Sequence, residues 1–379
     1  MTSYTPSPGA PGARPPGSGP DLPEPKARRT LFRAFVVPSW VLVAALALSF
    51  LLGLQVSEPL QYLPFALSLV LFGLPHGAVD HLVPARLSGR EASLRSVLGV
   101  ALLYLVLAGL YLAVWFASPV AAFLVFVSLT WFHWGQGDLH ARLALPSGEP
   151  TLGVPPALTV LVRGGLPMLV PLISFPEVYR EVALGIVGVF GAGELGWAAV
   201  FFEPVFRLAA GTAFLSLVVA VLYLGYRRAG SGGAWRTDAA EVLLLLLYFS
   251  VVPPVLAVGL YFCLWHSPRH VARLMLLERE GAAALRRGRL APALRAFVRD
   301  AAPLTLAALA LLAGLYLAVP GTVEGYSSLL GLYLVLISVL TLPHVAVVYL
   351  MDRKQDVWRG DRPAGGRRTP EMFTGRGEG

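Results

Sequence analysis

Residues 95–117, RSVLGVALLYLVLAGLYLAVWFA, form an apolar run whose only charged side chain stands at its first position. A helix needs about 20 apolar residues to cross the hydrocarbon core of a bilayer, so this run predicts a membrane-spanning helix. Similar runs occupy residues 36–54, 59–82, 119–137, 153–175, 204–226, 240–266, 301–319 and 327–350. Together they predict an all-α, polytopic transmembrane helix bundle of about 8–10 spans.

The composition supports a membrane protein. Of the 379 residues, 56% are hydrophobic and 14% are charged, and the mean hydropathy is +0.67. Soluble domains carry about 25% charged residues. The net charge of +8 does not indicate nucleic-acid binding, because the arginines flank the apolar runs and form no single basic face. The single cysteine, Cys263, excludes an internal disulfide and a thiolate metal cage.

Three parts are expected along the chain. Residues 1–34 form a tail rich in Pro and Gly, which is expected to be disordered. Residues 35–351 form one transmembrane domain that is expected to hold the active site, and residues 352–379 form a polar tail. No cleavable signal peptide is expected, because the first apolar run is long enough to span.

Arginine-rich segments predict the topology of a multi-pass protein of the plasma membrane. The segments PKARRTLFR and ARLSGREASLR, the residues 278–300 and the C-terminal tail are expected to be cytoplasmic. Both termini inside require an even number of crossings, whereas the clear runs are nine in number. Two corrections remain open. Either the glycine-rich run 182–202 is a further span, or the chain makes a re-entrant break at Pro253-Pro254.

All seven histidines lie in or at the ends of apolar runs. They form four clusters: GLPHGAVDHL (73–82), TWFHWGQGDLH (130–140), LWHSPRH (264–270) and TLPHV (341–345). An imidazole in hydrocarbon costs free energy unless it is hydrogen-bonded or bound to a metal. With the N-terminus inside, the clusters fall near the cytoplasmic ends of their spans. This convergence predicts a metal site near the cytoplasmic side, and imidazoles without thiolates suit iron, copper or zinc.

The third cluster contains a HxxxH pair. His266 and His270 are four residues apart, so a helix directs both rings from one face and lets them share an ion. Pro268 lies between them, removes a backbone donor and disfavours helix at Ser267. Either the helix kinks there, or a new helix begins with Ser267 as its N-cap.

In the first cluster, Gly-Leu-Pro before His76 predicts a bend, and Asp80 follows one helical turn later. A carboxylate that orients a ligand imidazole is a common arrangement. The alternative is an Asp-His pair at a helix end that faces headgroups. His81 is interpreted as a neighbour of the ligands or as part of a substrate pocket.

In the second cluster, aromatic residues surround His133, and Asp138 follows it. An interfacial aromatic belt explains the tryptophans but not the histidine, the glycines and the aspartate together.

His140 is expected in a polar turn that faces solvent. His344, in the fourth cluster, is either a further ligand or a hydrogen-bonded core histidine. The aromatic residues near the clusters are predicted to line a slot for a long, flat hydrocarbon, and they are Trp131, Trp134, Tyr261 and Trp265.

The four motifs, in this order and over residues 51–351, resemble the bacteriorhodopsin-related-protein (Brp/Blh) family of membrane β-carotene 15,15′-dioxygenases. The resemblance implies cleavage of the central double bond of β-carotene by O₂, which gives two molecules of all-trans-retinal. It implies Fe(II) held by His76, His133, His266 and His270. It also implies that Asp80 and Asp138 orient ligand imidazoles. The polyene is then expected to enter from the lipid, and the retinal to supply a rhodopsin.

Two other function classes remain open. A di-iron desaturase or hydroxylase of the membrane usually has HxxHH clusters, and this chain has no adjacent histidines. A non-enzymatic metal transporter, or a protein that handles carotenoid or retinal, would spread polar residues through the spans at several depths.

Overall fold

The computed structural model describes residues 23–145, 153–230, 232–318 and 325–359, and every regular element in these ranges is helical. The all-α prediction is therefore confirmed. The helices are α1 (Pro25–Leu31), α2 (Val37–Leu51), α3 (Glu58–Leu71), α4 (Gly73–Ala78), α5 (Val83–Leu87), α6 (Leu94–Ala117), α7 (Pro119–Ala144), α8 (Pro156–Ser174), α9 (Pro176–Gly188), α10 (Pro204–Ala229), α11 (Gly233–Val251), α12 (Pro254–Tyr261), α13 (Ser267–Leu277), α14 (Arg279–Arg286), α15 (Leu290–Ala318) and α16 (Gly325–Lys354). Two π-helical turns, Phe32–Val36 and Phe262–His266, join α1 to α2 and α12 to α13.

Among the described residues, seven helical segments are long and apolar enough to cross a membrane. They are Pro25–Leu51, Glu58–Leu87, Leu94–Ala117, Pro156–Ser174, Pro204–Arg228, Leu290–Gly314 and Leu329–Lys354. Helix α7 is equally long, but its last third is polar. The outward faces of the seven segments carry large apolar side chains with high exposed fractions, such as 72% for Leu105 and 80% for Val205, as a lipid-facing surface requires. The protein is therefore a multi-pass membrane protein.

Helix begins earlier in the chain than the sequence predicted. The disordered tail was expected to reach residue 34, but α1 begins at Pro25. The reason is burial, because Ala27 and Leu31 pack in one apolar cluster with Ala272 and Leu285. Residues 1–22, which make up the rest of that tail, lie outside the described residues.

The last helix also extends past its predicted end. The polar tail was expected from residue 352, but α16 continues to Lys354 and a 3₁₀ turn follows at Val357–Arg359. Asp352 is fully buried and forms an ion pair with Arg273 at 2.7 Å, which holds the end of α16 against α13. Residues 360–379 lie outside the described residues.

The predicted span 59–82 is a broken helix. Helix α3 ends at Leu71, and α4 begins at Gly73. A Cβ atom at Gly73 would lie 2.9 Å from the side chains of Phe262 and Tyr333, so the break brings the backbone against two neighbouring helices. The short α4 that results carries His76 into the interior of the bundle.

The predicted span 240–266 is two helices. The chain breaks at the Pro253-Pro254 pair, between α11 and α12, where one of the two alternatives located a re-entrant break. That the segment re-enters the membrane stays a prediction. The other alternative is wrong, because the run 182–202 does not form a span. It divides into the second half of α9 and a 3₁₀ helix at Gly196–Phe202, and α9 has only 13 residues.

Two glycines let α7 and α8 approach closely. A Cβ atom at Gly135 would lie 2.2 Å from the carbonyl oxygen of Val160, and one at Gly164 would lie 1.8 Å from that of Trp131. Small residues at such crossings are typical of helix pairs in membranes. This contact fixes α7, and with it His133, against the rest of the bundle.

Candidate metal centre

Five histidines meet in the interior of the bundle. They are His76 on α4, His133 on α7, His266 at the end of the π turn, His270 on α13 and His344 on α16, and each is at least nine-tenths buried. Seven of their ring pairs have centroids 4.8–6.3 Å apart. We call this group the five-histidine cluster. The four ligands implied by the resemblance are thus adjacent in space, and His344 lies among them.

The distance between two ring nitrogens suits a shared ion. His133 Nε2 and His266 Nε2 are 3.2 Å apart. Two imidazole nitrogens bound tetrahedrally to one ion, with bonds of about 2.0–2.1 Å, would stand ~3.4 Å apart. One ligating nitrogen from each of His76, His133 and His344 also lies within 4.8 Å of the others. The cluster is therefore compact enough to bind one ion with little movement.

Hydrogen bonds leave ring nitrogens free to bind metal. His76 Nδ1 donates to the carbonyl oxygen of Phe72 at 3.1 Å, and His344 Nδ1 donates to Asp80 Oδ2 at 2.7 Å. Both bonds place the proton on Nδ1, so Nε2 carries the lone pair. In the part of the chain that the structure describes, the buried Nε2 atoms of His270 and His344 have no hydrogen-bond partner. Buried polar atoms without partners are rare, and a bound cation would satisfy these two.

Pro268 does not disturb the HxxxH pair. The helix is continuous from Pro254 to Leu277, and Ser267 has helical dihedral angles and no capping bond. The prediction of a new helix capped by Ser267 is therefore wrong. The reason is the π turn at Phe262–His266, which widens the helix just before the ring of Pro268. Both histidine rings remain next to His76, with centroid distances of 5.9 and 5.6 Å.

The two aspartates have different partners. Asp80 Oδ2 accepts bonds from His344 Nδ1 and from the hydroxyl of Tyr104 at 2.5 Å, so it does contact an imidazole. Asp138 does not, which corrects the prediction for it. It accepts bonds from the indole nitrogen of Trp265 at 3.0 Å and from Arg163 at 3.4 Å. Asp138 therefore fixes the residue before His266, and not a histidine ring.

Of the four aromatic residues predicted to line a slot, only Trp134 borders one of the two cavities that adjoin the cluster within the described residues, and its ring lies 5.6 Å from that of His266. The indole nitrogen of Trp131 bonds the backbone of α8 at Leu161. Tyr261 and Trp265 are fully buried behind the cluster. The prediction for these three residues is wrong, because the helices turn their rings toward packed neighbours.

The remaining histidines lie outside the cluster. His81 is half-buried, bonds the carbonyl of Ala78 at 3.0 Å and lines one of the cavities described below. His140 lies within α7 and is half-buried near Arg273, so the expected solvent-facing turn is wrong.

Two apolar cavities meet at the cluster. The inner cavity, about 140 Å³, lies among α7, α9, α12 and α16, and the outer cavity, about 670 Å³, lies among α4, α6, α15 and α16. Both are lined by His76, Ile337, Thr341 and His344. The inner wall includes Phe126, Met168, Val182, Val255, Phe262 and Leu334. The outer wall includes Val97, Ala101, Leu105, Ala307, Ala308 and Leu311. The cluster thus stands at the junction of two apolar chambers.

A buried ion network, which the sequence did not reveal, supports the cluster from behind. The Arg163 guanidinium lies 2.5 Å from Asp238, 2.7 Å from Glu241 and 3.4 Å from Asp138. Arg269 reaches the other oxygen of Glu241 at 3.3 Å. Charged groups inside a bundle are stable only when they are paired in this way. The sequence signal was the presence of Arg163 and Glu241 within the apolar runs 153–175 and 240–266, but the identity of their partners was not visible from it.

The network reaches the cluster through one tryptophan. The guanidinium of Arg269 lies 3.8 Å above the ring of Trp265, and the indole nitrogen of Trp265 bonds Asp138. These contacts join α7, which carries His133, to the π turn that carries His266 and to the start of α13. The network therefore stabilises the approach of the two helices that bring the closest pair of ring nitrogens together.

Comparison with known proteins agrees with this geometry. A model of the family described as beta-carotene 15,15′-dioxygenase matches residues 67–352. The probable beta-carotene 15,15′-dioxygenase Blh of Halobacterium salinarum is 50% identical over 334 residues, which are 88% of this chain and 96% of that protein. The corresponding Brp of Halobacterium salinarum is 34% identical over 84% of this chain and 90% of its own.

A beta-carotene 15,15′-dioxygenase of an uncultured marine bacterium is 26% identical over 54% of this chain and 66% of that protein. No solved structure matches significantly. The resemblance carried by the four histidine motifs is confirmed, and the chain belongs to the β-carotene 15,15′-dioxygenase family.

Proposed function

We propose that this protein is a membrane β-carotene 15,15′-dioxygenase, which adds O₂ across the central double bond of β-carotene and releases two molecules of all-trans-retinal. One molecule of each substrate accounts for every atom of the two products. The family model and the names of the relatives support the reaction. The observation that carries it in this chain is the five-histidine cluster at the junction of two apolar cavities.

The two cavities suit a long, symmetric hydrocarbon. A polyene whose halves occupy the inner and outer cavities has its centre beside the cluster, because the residues shared by the cavities include His76 and His344. Because the substrate comes from lipid, which is as apolar as the cavities, van der Waals contact with the cavity walls favours binding, and not removal from water. Central cleavage then requires the middle of the polyene to stand at this junction, and no polar group of the substrate is needed to hold it there.

The cofactor we propose is Fe(II), held by His76, His133, His266 and His270, with His344 as a further ligand on the free Nε2 that its bond to Asp80 exposes. Bound iron would supply the activation of O₂. The protein supplies position and an environment poor in water. The hydroxyl of Thr341, in the junction, donates to the backbone carbonyl of Ile337 at 2.7 Å and is thereby withdrawn from the substrate.

The remaining parts of the proposal concern location and partners. We place the protein in the plasma membrane with its N-terminus in the cytoplasm, as the arginine-rich segments favour. The site then lies toward the cytoplasmic side, and the retinal passes through the bilayer to a rhodopsin.

The test is expression in a bacterial host that accumulates β-carotene, with extracted retinal measured by chromatography. The wild-type protein is expected to bleach the cells and form retinal, and His266→Ala is expected to do neither. His140→Ala is the matched control, because His140 lies outside the cluster. Retained colour without retinal, in a verified membrane-inserted wild-type protein, would refute the reaction. Full activity of His266→Ala would refute the site.

A further inference from the structure

The two cavities differ in their access to lipid. Several residues that line the outer cavity are also exposed on the outside of the bundle, including Leu105 at 72%, Leu304 at 45% and Leu311 at 57%. They belong to α6 and α15, which flank the cavity on its two sides. The outer cavity therefore opens between these two helices, and we call this opening the α6–α15 slot.

None of the residues that line the inner cavity is exposed on the outside of the bundle. Every residue of its wall is buried or half-buried, among them Phe65, Phe123 and Ile186. The residues that both cavities share therefore offer a ligand an interior path from the outer cavity to the inner one. At that passage stand His76, His344 and the turn of α16 that carries Ile337 and Thr341.

We propose that the linear isoprenoid substrate enters from the bilayer through the α6–α15 slot, one end first. Its leading end passes the five-histidine cluster into the inner cavity, while its trailing half stays in the outer cavity. The inference rests on the proposed function for the identity of the substrate. The direction of access rests on the exposure of the two walls alone.

The chemistry of the slot suits an apolar ligand. Its walls include small residues, Ala101 and Ala108 of α6 and Ala307 and Ala308 of α15, between larger apolar ones such as Leu105 and Leu311. The small residues leave space between the helices, where larger side chains would close it. A hydrocarbon that moves from lipid into this slot exchanges one apolar environment for another, so access costs little desolvation.

The test narrows the slot from each side. Ala308→Trp and Ala108→Trp are expected to lower the rate of retinal formation from β-carotene in proteoliposomes by about tenfold or more, because both residues face the outer cavity. Ala310→Trp is the matched control: it lies on the same helix and is exposed, but it is not part of either cavity wall. Its rate is expected to equal that of the wild-type protein.

Two further measurements separate blocked access from misfolding. The iron content and the melting temperature of the tryptophan variants are expected to match those of the wild-type protein. Leu304→Ala, which widens the slot at an exposed position, is expected to keep or raise the rate. If both tryptophan variants remain as active as an active wild-type protein, the slot is not the route.

Retention of β-carotene by an inactive variant separates failure of the entry route from failure of the proposed reaction. Purified His266→Ala, which is expected not to turn over, should retain β-carotene when the slot is open and lose it when Ala308→Trp is added. If the wild-type protein forms no retinal but the slot variants still decide whether β-carotene is retained, the proposed function fails and the route stands. If the tryptophan changes leave retention intact, the route fails.

Discussion

His344 Nδ1 donates a hydrogen bond to Asp80 Oδ2 at 2.7 Å, and the hydroxyl of Tyr104 donates to the same oxygen. The carboxylate thus holds the imidazole with its unpartnered Nε2 inside the five-histidine cluster. Carboxylates that orient ligand histidines raise the basicity of the ring and fix its tautomer. The pair joins two segments, α4–α5 and α16, that lie far apart in the sequence.

Asp80→Asn is expected to weaken iron binding by about 10–100-fold, because an amide orients the imidazole without a negative charge. The measurement is the iron retained per protein after dialysis against a graded chelator. Asp356→Asn, at a turn after α16 and away from the cluster, is the control for the same chemical change. Equal iron retention by Asp80→Asn and the wild-type protein would show that His344 is not a ligand.

Gly137 faces the ring of His266, where a Cβ atom would lie 3.0 Å from Cε1 and 3.2 Å from Nδ1. Gly137→Ala is therefore expected to push the ring away from its partners and to lower retinal formation by about tenfold or more, since small misplacements of reacting groups are costly. Iron content should fall as well, and the melting temperature should change little.

The matched control for that substitution is Gly109→Ala. Gly109 lies inside α6, and a Cβ atom there would meet nothing within 4 Å. Replacement of a helix glycine by alanine at an open position is expected to leave activity unchanged and to stabilise the helix by about 1 kcal/mol. If Gly137→Ala and Gly109→Ala lost activity equally, displacement of the His266 ring would not be the cause of the loss.

Removal of metal tests the cofactor. Treatment with an Fe(II) chelator is expected to abolish retinal formation, and Fe(II) added under reducing conditions is expected to restore it. Zn²⁺ is the control, because it suits an imidazole site but has no redox chemistry. Metal analysis should give about one iron per chain, since the five rings lie with their centroids 4.8–6.3 Å apart. A ratio near two, or activity that survives complete loss of iron, would contradict the single-iron site.

Much of the fold follows from the length of the apolar runs. The run 95–117 corresponds closely to α6, and 204–226 corresponds to α10, because apolar length alone decides whether a helix crosses the bilayer. The length of the apolar run 59–82 did not indicate that the helix breaks at Phe72. It depends on Gly73 meeting Phe262 and Tyr333, which belong to distant helices.

The site was predictable to a similar extent. The scarcity of histidine in apolar runs pointed to the residues that meet in the cluster, and the motif order identified the family. The partners of the aspartates were not predictable, because sequence spacing places Asp138 near His133 but cannot place it against Trp265. The role of His344 as a ligand remains a prediction, which Asp80→Asn tests.

The buried ion network gives a prediction about stability. Arg163 is 2% exposed and contacts three carboxylates that come from α7 and α11, and Arg142 and Arg269 supply two further positive charges to them. Arg163→Gln keeps much of the volume but leaves buried negative charge without compensation, which typically costs about 3–5 kcal/mol. The variant is expected to unfold at a markedly lower temperature in detergent and to lose iron as α7 and α13 separate.

Arg163→Lys should recover part of the stability, because it restores the charge without the fork of donors. Arg180→Gln, at an exposed position on α9, is the control and should unfold like the wild-type protein. An unchanged melting temperature for Arg163→Gln would mean that the carboxylates are neutral in the folded protein, and that the network holds α7 and α13 together by hydrogen bonds and not by charge.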